Sequence, residues 1–254
     1  MTLTATQKGA QMTAPYYEDA LVTLYNADSL TAIEAMDERS FDAVVTDPPY
    51  DERTHTLARS SNTNLPAGMR SLAGTRRAFA SFTPEAHRDL FIKLGVISRR
   101  WVISSLPTST AFRFDLDPPT GLRVMRISVW VKTNPMPIIS ADRPALGWEP
   151  IVCLHRDDVK PFWNGGGRAM NHVGPTSQGS GHPTQKPLGM VQEWVRQFTN
   201  PGDTILDPFA GTGTTLRAAA DEGRRAVGYE IDERYCELAA TRLAQQSWDL
   251  EGIA

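Results

Sequence analysis

The sequence has 254 residues, is 41% hydrophobic and 22% charged, and carries a formal net charge of -3. This balance argues against a general nucleic-acid binder with an overall basic charge, and no apolar run is long enough to span a bilayer. With two distant cysteines and no apolar stretch in the first twenty residues, we expect no disulfide framework, no zinc cluster, no secretory signal and a cytoplasmic location.

The predicted elements of the first two thirds of the chain alternate between helix and strand. Residues 1–16 show no periodicity and are predicted to form a disordered tail. The apolar run at 41–47 is predicted to be a central parallel strand, which stops at Pro48-Pro49 because proline cannot continue a ladder. The other predicted elements are a strand ending at Asp28, a polar helix after it, a helix from Pro84 and strands at 99–105, 124–132 and 150–156, with turns between 107 and 121 and a loop over 157–181.

The last third of the chain has the most regular pattern. Apolar residues four apart predict a helix at 187–198, and buried strands are predicted at 203–208 and 225–231. Between these strands a helix ends at Gly223, and Asp232 caps a final helix. The alternation predicts an α/β fold, a doubly wound Rossmann-like parallel sheet with long inserted loops, as a single domain over 17–254.

A glycine-rich turn at 207–213, with the sequence DPFAGTG, joins a predicted strand to a predicted helix. Its glycines let the backbone approach a ligand, and Glu230, at the end of the next strand, is placed to accept hydrogen bonds from a ribose diol. Thr214-Thr215 replaces the lysine of a P-loop, and Leu216 stands where a dinucleotide site needs a third glycine. S-adenosylmethionine needs neither feature, and a tight turn without a ligand is the alternative.

The motif Asp47-Pro48-Pro49-Tyr50 ends the strand at 41–47, at the sheet edge where α/β proteins bind ligands. An exocyclic amino group of a nucleobase is a poor nucleophile because its lone pair is delocalised into the ring. The Asp47 carboxylate and the Pro48 carbonyl can accept its two N–H bonds, and the two prolines fix the backbone in advance. Tyr50 can stack on a base rotated out of a duplex. These four residues are the predicted catalytic set; a plain strand-to-loop stop is the alternative.

Three motifs follow one another along the chain: DPPY at 47–50, HPTQKP at 182–187 and DPFAGTG at 207–213. In this order they resemble the β group of bacterial and phage DNA amino-methyltransferases, whose sheet is circularly permuted. The segment at 129–137 and the pair Trp148-Glu149 are also similar to that family. The resemblance covers most of residues 20–245.

The resemblance implies S-adenosylmethionine as the cofactor, double-stranded DNA as the partner and no metal. A lysine in the second motif suits the carboxylate of a methionyl group. The residues that the resemblance assigns to the cofactor are Asp207, Phe209, Ala210, Gly211 and Gly213 along its length, Glu230 at its ribose, Asp28 near its adenine, and Thr184 and Lys186 at its methionyl end.

Two segments depart from the family pattern. Target recognition is expected within 133–181, which is short, whereas the segment 51–81 after Tyr50 is long and contains five arginines against two acidic residues. We expect 51–81 to be a basic mobile loop that neutralises phosphates beside the base pocket and orders when DNA binds. A solvated insertion without a role is the alternative.

The predicted function is site-specific methylation of adenine N6 in DNA, in a restriction-modification context. Aspartate rather than serine at position 47 favours adenine over cytosine N4, which remains the alternative target. Methyltransferases that act on protein glutamine or RNA guanine have their motifs in the opposite order, and a DNA-binding subunit on an inactive fold would not need Asp47. A homodimer and a cognate restriction enzyme remain open.

Overall fold

The computed structural model of the protein describes residues 14–50, 82–135, 144–176 and 185–251. The strands in these ranges are β1 (Tyr17–Glu18), β2 (Val22–Asn26), β3 (Phe41–Thr46), β4 (Ser98–Ser105), β5 (Leu122–Lys132), β6 (Trp148–Arg156), β7 (His172–Gly174), β8 (Thr204–Asp207) and β9 (Arg225–Glu230). The helices are α1 (Ser29–Glu34), α2 (Pro84–Ile97), α3 (Thr108–Leu116), α4 (Leu188–Phe198), α5 (Thr214–Asp221) and α6 (Glu233–Glu251). The segment 51–81 and most of the predicted tail at 1–16 lie outside the described residues.

The strands form one sheet in the order β1-β2-β9-β8-β3-β4-β6-β5-β7. Its centre is parallel, because β9 pairs in parallel with β2 and β8, and β3 pairs in parallel with β8 and β4. The expectation of a parallel sheet is wrong beyond β4, where β6 runs antiparallel to both β4 and β5. Apolar runs such as β6 suit a strand buried on both faces in either direction, so the sequence pattern could not distinguish the two.

Helices cover both faces of the sheet, as predicted for a doubly wound fold. One buried cluster contains Trp194 of α4, Leu216 of α5 and Cys236 of α6. The other contains Leu90 of α2 and Phe114 of α3, together with a side chain of α1. Within the described ranges, no helix is both long enough and apolar enough to cross a bilayer.

The turns predicted between 107 and 121 are wrong, because α3 occupies Thr108–Leu116. Three prolines flank this helix rather than interrupt it, with Pro107 at its N-cap and Pro118-Pro119 after its end. Phe114 is buried and contacts the ring of Phe91 of α2 edge-on, with centroids 5.2 Å apart. Tertiary burial of one face therefore stabilises a helix whose proline flanks indicate turns. The predicted loop over 157–181 likewise contains the short strand β7.

The pairing of β3 with β8 determines where the motifs meet. Ala43 lies opposite Ile205 and Val44 opposite Leu206, and all four side chains are fully buried. Since the two strands are parallel, their carboxyl ends emerge side by side at one edge of the sheet. The DPPY motif and the glycine-rich turn, which are distant in sequence, therefore become neighbours.

The junction of β9 and α5 is closely packed at Gly228. A Cβ at this position would lie 2.7 Å from Cδ1 of Leu216 and 3.1 Å from Cβ of Ala210. Leu216 is fully buried, so its side chain has little room to retreat. The absence of a side chain at Gly228 lets α5 approach the sheet.

We expect Gly228→Ala to lower the free energy of unfolding by about 1–3 kcal/mol, because the added methyl group overpacks this junction. Gly189→Ala is the matched control, since a Cβ in that first turn of α4 meets no atom within 4 Å. The control should be unchanged or more stable by up to about 1 kcal/mol. Urea denaturation of both variants gives the comparison, and equal stabilities would contradict the packing argument.

Candidate active site

The ends of five strands form the candidate site. Strands β3, β8 and β9 end at this edge of the sheet with Thr46, Asp207 and Glu230. Because β6 is antiparallel, it begins at the same edge, and Glu149 lies near the end of β4. Strand β5 then ends beside Glu149, which pairs with Trp130 in the register. The antiparallel strands thus bring side chains to this edge that a wholly parallel sheet would place elsewhere.

The glycine-rich turn after β8 has the open backbone that its sequence predicts. Gly211 and Gly213 have φ values of 52° and 77°, in the left-handed region that favours glycine. Gly213 is the N-cap of α5, and the backbone N–H of Ala210 donates to the carbonyl of Tyr229 at 2.9 Å. A Cβ at Gly211 would meet no atom within 4 Å, so this stretch of backbone borders open space.

Glu230 is a buried carboxylate next to that open space. Its Oε2 accepts the backbone N–H of Gly211 at 2.9 Å, and its Oε1 accepts that of Asp232 at 2.8 Å. Burial raises the pKa of Glu230, and these backbone donors oppose the rise. A carboxylate has about four acceptor positions, so each oxygen keeps capacity for one further donor. The site thus fits a neutral diol.

The predicted cofactor residues near the turn lie at this edge, with one exception. Asp28 caps α1 through a 3.0 Å bond from Leu30 N, just beyond Asn26, the register partner of Glu230. Phe209 contacts the ring of Phe82 edge-on at 5.8 Å. Thr184 lies outside the described residues.

Asp207 is an internal carboxylate that joins β8 to β3. Its Oδ1 accepts from the hydroxyl of Thr46 at 2.8 Å and from the backbone N–H of Phe209 at 3.1 Å. The side chain is buried, and burial raises the pKa of Asp207 to about 6. These contacts give Asp207 a structural position beneath the turn.

Asp47 has one occupied and one unoccupied carboxylate oxygen. Its Oδ2 accepts from Lys186 Nζ at 2.6 Å, whereas its buried Oδ1 has no hydrogen-bond partner among the described residues. Burial raises the pKa of Asp47, and the ammonium of Lys186 opposes the rise. The side chain as a whole is 31% exposed, whereas Oδ1 itself is buried. A buried acceptor without a donor is costly and typical of a functional group.

Lys186 lies between two carboxylates. Besides Asp47, its Nζ contacts Oε2 of Glu149 at 3.2 Å, and the side chain is only 8% exposed. Burial alone would lower the pKa of Lys186, but the two carboxylates raise it well above its ordinary value. The ammonium of Lys186 therefore contacts the DPPY motif. The family resemblance had instead placed it at the methionyl end of a cofactor.

Tyr50 and Glu149 are connected through Ser105. The hydroxyl of Tyr50 lies 2.9 Å from Oγ of Ser105, and that Oγ donates to Oε2 of Glu149 at 3.3 Å. Since Ser105 has a single proton, Tyr50 is the donor in the first of these bonds. Lys132 Nζ donates to the other oxygen of Glu149 at 2.5 Å. One connected network therefore contains four charged groups: Lys132 of β5, Glu149 of β6, Lys186 just before α4 and Asp47 just after β3.

The carbonyl of Pro49 lies within hydrogen-bond distance of a histidine in α2. Nε2 of His87, in α2, lies 3.1 Å from the Pro49 carbonyl oxygen, and its Nδ1 lies 3.2 Å from that of Thr83. The imidazole is completely buried and contacts the ring of Phe82 at 5.2 Å. Since a neutral imidazole carries one N–H, His87 donates to one of these two carbonyl oxygens and lies in contact with the other.

Comparisons with known proteins agree with this geometry. A family model described as "DNA methylase" matches residues 159–241. The chain is 29% identical to the type II methyltransferase M2.LlaDCHI of Lactococcus lactis subsp. cremoris, over 92% of this chain and 94% of that protein. It is 26% identical to the type II methyltransferase M2.DpnII of Streptococcus pneumoniae, over 94% of this chain and 96% of that protein. The chain is thus similar to DNA methylases over residues 159–241 and to two type II methyltransferases over most of its length.

Solved structures of similar fold include a complex with SAM and a DNA methyltransferase. The complex of M1.HpyAVI with SAM has a TM-score of 0.62 at 22% identity and covers 87% of this chain and 100% of that one. The cytosine-N4-specific PvuII methyltransferase has a TM-score of 0.67 at 17% identity and covers 90% of this chain and 88% of that one. These likenesses confirm the predicted α/β methyltransferase fold.

Four residues of the candidate site received no role from the sequence. Glu149 and Lys132 lie in segments already noted as similar to the family, and that likeness was the available signal. Ser105 and His87 had no signal, because a serine ending an apolar strand and a histidine in an amphipathic helix are ordinary residues. Only the tertiary contacts show that they belong to the site.

We expect Asp207→Asn to change how the stability of the protein depends on pH. The folded protein keeps this proton up to pH about 6, whereas the unfolded chain releases it near 3.8. Folding therefore takes up a proton between these values, so Asp207 lowers stability progressively as pH rises, by on the order of 3 kcal/mol above pH 6.

The amide introduced by this substitution keeps an acceptor for Thr46 and does not ionise. The free energy of unfolding of the variant should therefore rise relative to that of wild type between pH 4 and pH 7. Denaturation across this range measures the difference in unfolding free energy. Asp115→Asn, at an exposed position of α3, is the control. A difference between Asp207→Asn and wild type that stays constant with pH would contradict the assignment.

Proposed function

We propose that the methylase transfers a methyl group from S-adenosylmethionine to adenine N6 in double-stranded DNA. One observation carries the proposal: the buried Oδ1 of Asp47, which lacks a donor among the described residues, at the strand end beside the glycine-rich turn. The N–H of an exocyclic amine supplies the donor that this oxygen lacks. The Pro48 carbonyl, in the same rigid turn, is the second acceptor.

The two acceptors activate the amine. Hydrogen bonds to Asp47 and to the Pro48 carbonyl turn the nitrogen towards tetrahedral geometry and withdraw its lone pair from the ring. A sulfonium methyl group held at the ends of β8 and β9 would then receive the freed lone pair, and the electrons of its carbon–sulfur bond would leave with the sulfur. The methylated nitrogen finally loses one proton, for which Asp47 is the adjacent base. The cofactor supplies an electrophilic methyl group on a sulfonium.

The residues at the ends of β8 and β9 fit such a cofactor. Glu230 is a buried carboxylate whose donors in the described part of the chain are backbone amides, so the two hydroxyls of a ribose are suitable partners. Gly211 borders open space and lets a ligand contact the backbone. Asp28, at the end of β2, continues the same edge.

Lys186 is placed to support catalysis rather than to bind the cofactor's carboxylate. Its ammonium opposes the rise in the pKa of Asp47 that burial causes, and so favours the ionised carboxylate, which is the stronger acceptor. Lys186 contacts Glu149 as well, which leaves part of its charge engaged elsewhere. We therefore revise its expected role from the methionyl end of the cofactor to the catalytic aspartate.

Adenine is the proposed target because an aspartate stands at position 47. The fold does not decide between the amines, since the cytosine-N4-specific PvuII enzyme has a similar fold. The type II names of the two relatives support site-specific methylation in a restriction-modification context. A homodimer and a cognate restriction enzyme remain open, and the role of 51–81 in phosphate binding stays a prediction.

Nucleoside mass spectrometry of methylated DNA tests the proposal. Purified methylase, duplex DNA of mixed sequence and S-adenosylmethionine should yield N6-methyladenine. Asp47→Ala should bind S-adenosylhomocysteine normally and transfer methyl at least about a hundredfold more slowly, as expected for a group that acts in the transition state. N4-methylcytosine as the sole product would reverse the assignment of the base, and wild-type turnover in Asp47→Ala would refute the mechanism.

We expect Glu230→Gln to weaken cofactor binding by about 10–100-fold, because a charged hydrogen bond to a ribose hydroxyl contributes roughly 1.5–3 kcal/mol. The substituted amide also places N–H donors against a backbone N–H. Calorimetric titration with S-adenosylhomocysteine measures the loss. Glu233→Gln, at an exposed position in the first turn of α6, is the control and should bind as tightly as wild type. Unchanged affinity in Glu230→Gln would exclude the ribose contact.

A further inference from the structure

Glu149 is a carboxylate with three donors from other elements and no role in the proposed chemistry. Its Oε1 accepts from Lys132 Nζ at 2.5 Å. Its Oε2 faces both Lys186 Nζ at 3.2 Å and the hydroxyl of Ser105 at 3.3 Å. The side chain is only 17% exposed, so these contacts occur largely away from water. A carboxylate placed in this way holds several neighbours in fixed positions.

We propose that Glu149 is a positioning residue that keeps Oδ1 of Asp47 available to the target amine and fixes the ring of Tyr50. This proposal rests on the proposed function. Glu149 itself contacts neither the base nor the cofactor. It acts on Asp47 through Lys186 and on Tyr50 through Ser105.

The first connection passes through Lys186. An ammonium has three donors, and a lysine beside one buried carboxylate can chelate both of its oxygens. Here Glu149 binds the ammonium from the other side, at 3.2 Å, while Asp47 receives it on Oδ2 alone, at 2.6 Å. By sharing the ammonium, Glu149 leaves Oδ1 of Asp47 without a donor in the described part of the chain.

The second connection passes through Ser105. The hydroxyl of Tyr50 donates to Oγ of Ser105, which in turn donates to Glu149. Ser105 is completely buried, so this chain of hydrogen bonds has little competition from solvent. The ring of Tyr50 lies with its centroid 5.8 Å from Lys186 Nζ. The orientation of the aromatic ring that would stack on a flipped base thus depends on the same carboxylate.

The charges around Glu149 show why it acts as a fixed anion. Burial opposes its ionisation, but the ammonium groups of Lys186 and Lys132 outweigh burial and lower the pKa of Glu149 to about 2. The other titratable groups at this edge include Asp47 and Tyr50, after β3, Asp207 of β8 and Glu230 of β9. Glu149 therefore stays ionised during turnover, and its negative charge raises the pKa of Asp47.

The substitution Glu149→Gln keeps the shape of the side chain and removes its charge. We expect kcat for methyl transfer to fall at least about tenfold, as Lys186 moves fully onto Asp47 and weakens it as an acceptor. The affinity for S-adenosylhomocysteine should stay within about twofold of wild type. The acid limb of the pH–rate profile should shift to lower pH, because the loss of a neighbouring anion makes Asp47 easier to ionise.

The second variant, Ser105→Ala, separates the two connections and covers the case in which Glu149→Gln does not fold. It breaks the bond to Tyr50 without altering the charge next to Asp47. We expect weaker flipping of a 2-aminopurine placed at the target position, seen as reduced fluorescence, with the acid limb unmoved. Glu38→Gln, an exposed position before β3 at the opposite edge of the sheet, is the matched control and should behave as wild type.

The results distinguish this proposal from the function on which it rests. If wild type methylates adenine and Asp47→Ala is inactive, the function stands. Wild-type kcat or an unmoved acid limb in Glu149→Gln would then overturn the role of Glu149. If Glu149→Gln does not fold, normal flipping in Ser105→Ala overturns the connection to Tyr50. If wild type produces no methylated nucleoside, the proposed function itself fails.

Discussion

The site depends on the parallel pairing of β3 with β8, which forces two carboxylates to emerge side by side from the interior of a sheet. Asp47 and Asp207 are both desolvated, and burial raises the pKa of each. The structure handles them differently. Asp47 receives an ammonium from Lys186, whereas Asp207 receives the neutral donors Thr46 and the backbone of Phe209. The ammonium favours the anionic form of Asp47, whereas the neutral donors of Asp207 leave its pKa raised to about 6.

Strand β6 supplies what the parallel half of the sheet cannot. In a parallel sheet every strand brings only its carboxyl end to the ligand edge, and the residues there are those that follow a buried run. An antiparallel strand brings its first residues instead, and Glu149 comes from that position. Its partner Lys132 arrives at the end of β5, the other member of the antiparallel pair. The antiparallel pairing of β5 with β6 therefore places the positive charge of Lys132 next to the negative charge of Glu149 at this edge.

The sequence predicts the parts of the site that depend on local chemistry. A strand that stops at two prolines and a turn with two glycines in the left-handed region can each be identified from a few residues, and the structure has both. Glu230 follows from its place at the end of the next strand.

The sequence does not predict the partners of those residues. The position of Lys186 was expected to serve a cofactor, because nothing in the local sequence shows that Glu149 stands opposite it. Helix α3 was missed for a similar reason, since burial of Phe114 against α2 outweighs its proline flanks. Long-range pairing of buried charges and apolar faces is a property of the assembled chain.

The position of His87 bears on how much the neighbouring segment 51–81 can vary between related proteins. One imidazole contacts the carbonyl of Pro49, just before the segment 51–81 begins, and that of Thr83, just after it ends. Both anchors belong to the described fold, and neither is part of the segment. The chain between them can therefore be lengthened, shortened or exchanged while the peptide beside the catalytic aspartate keeps its place. The contacts of the buried histidine thus lie outside the segment, and changes of sequence or length within 51–81 leave them intact.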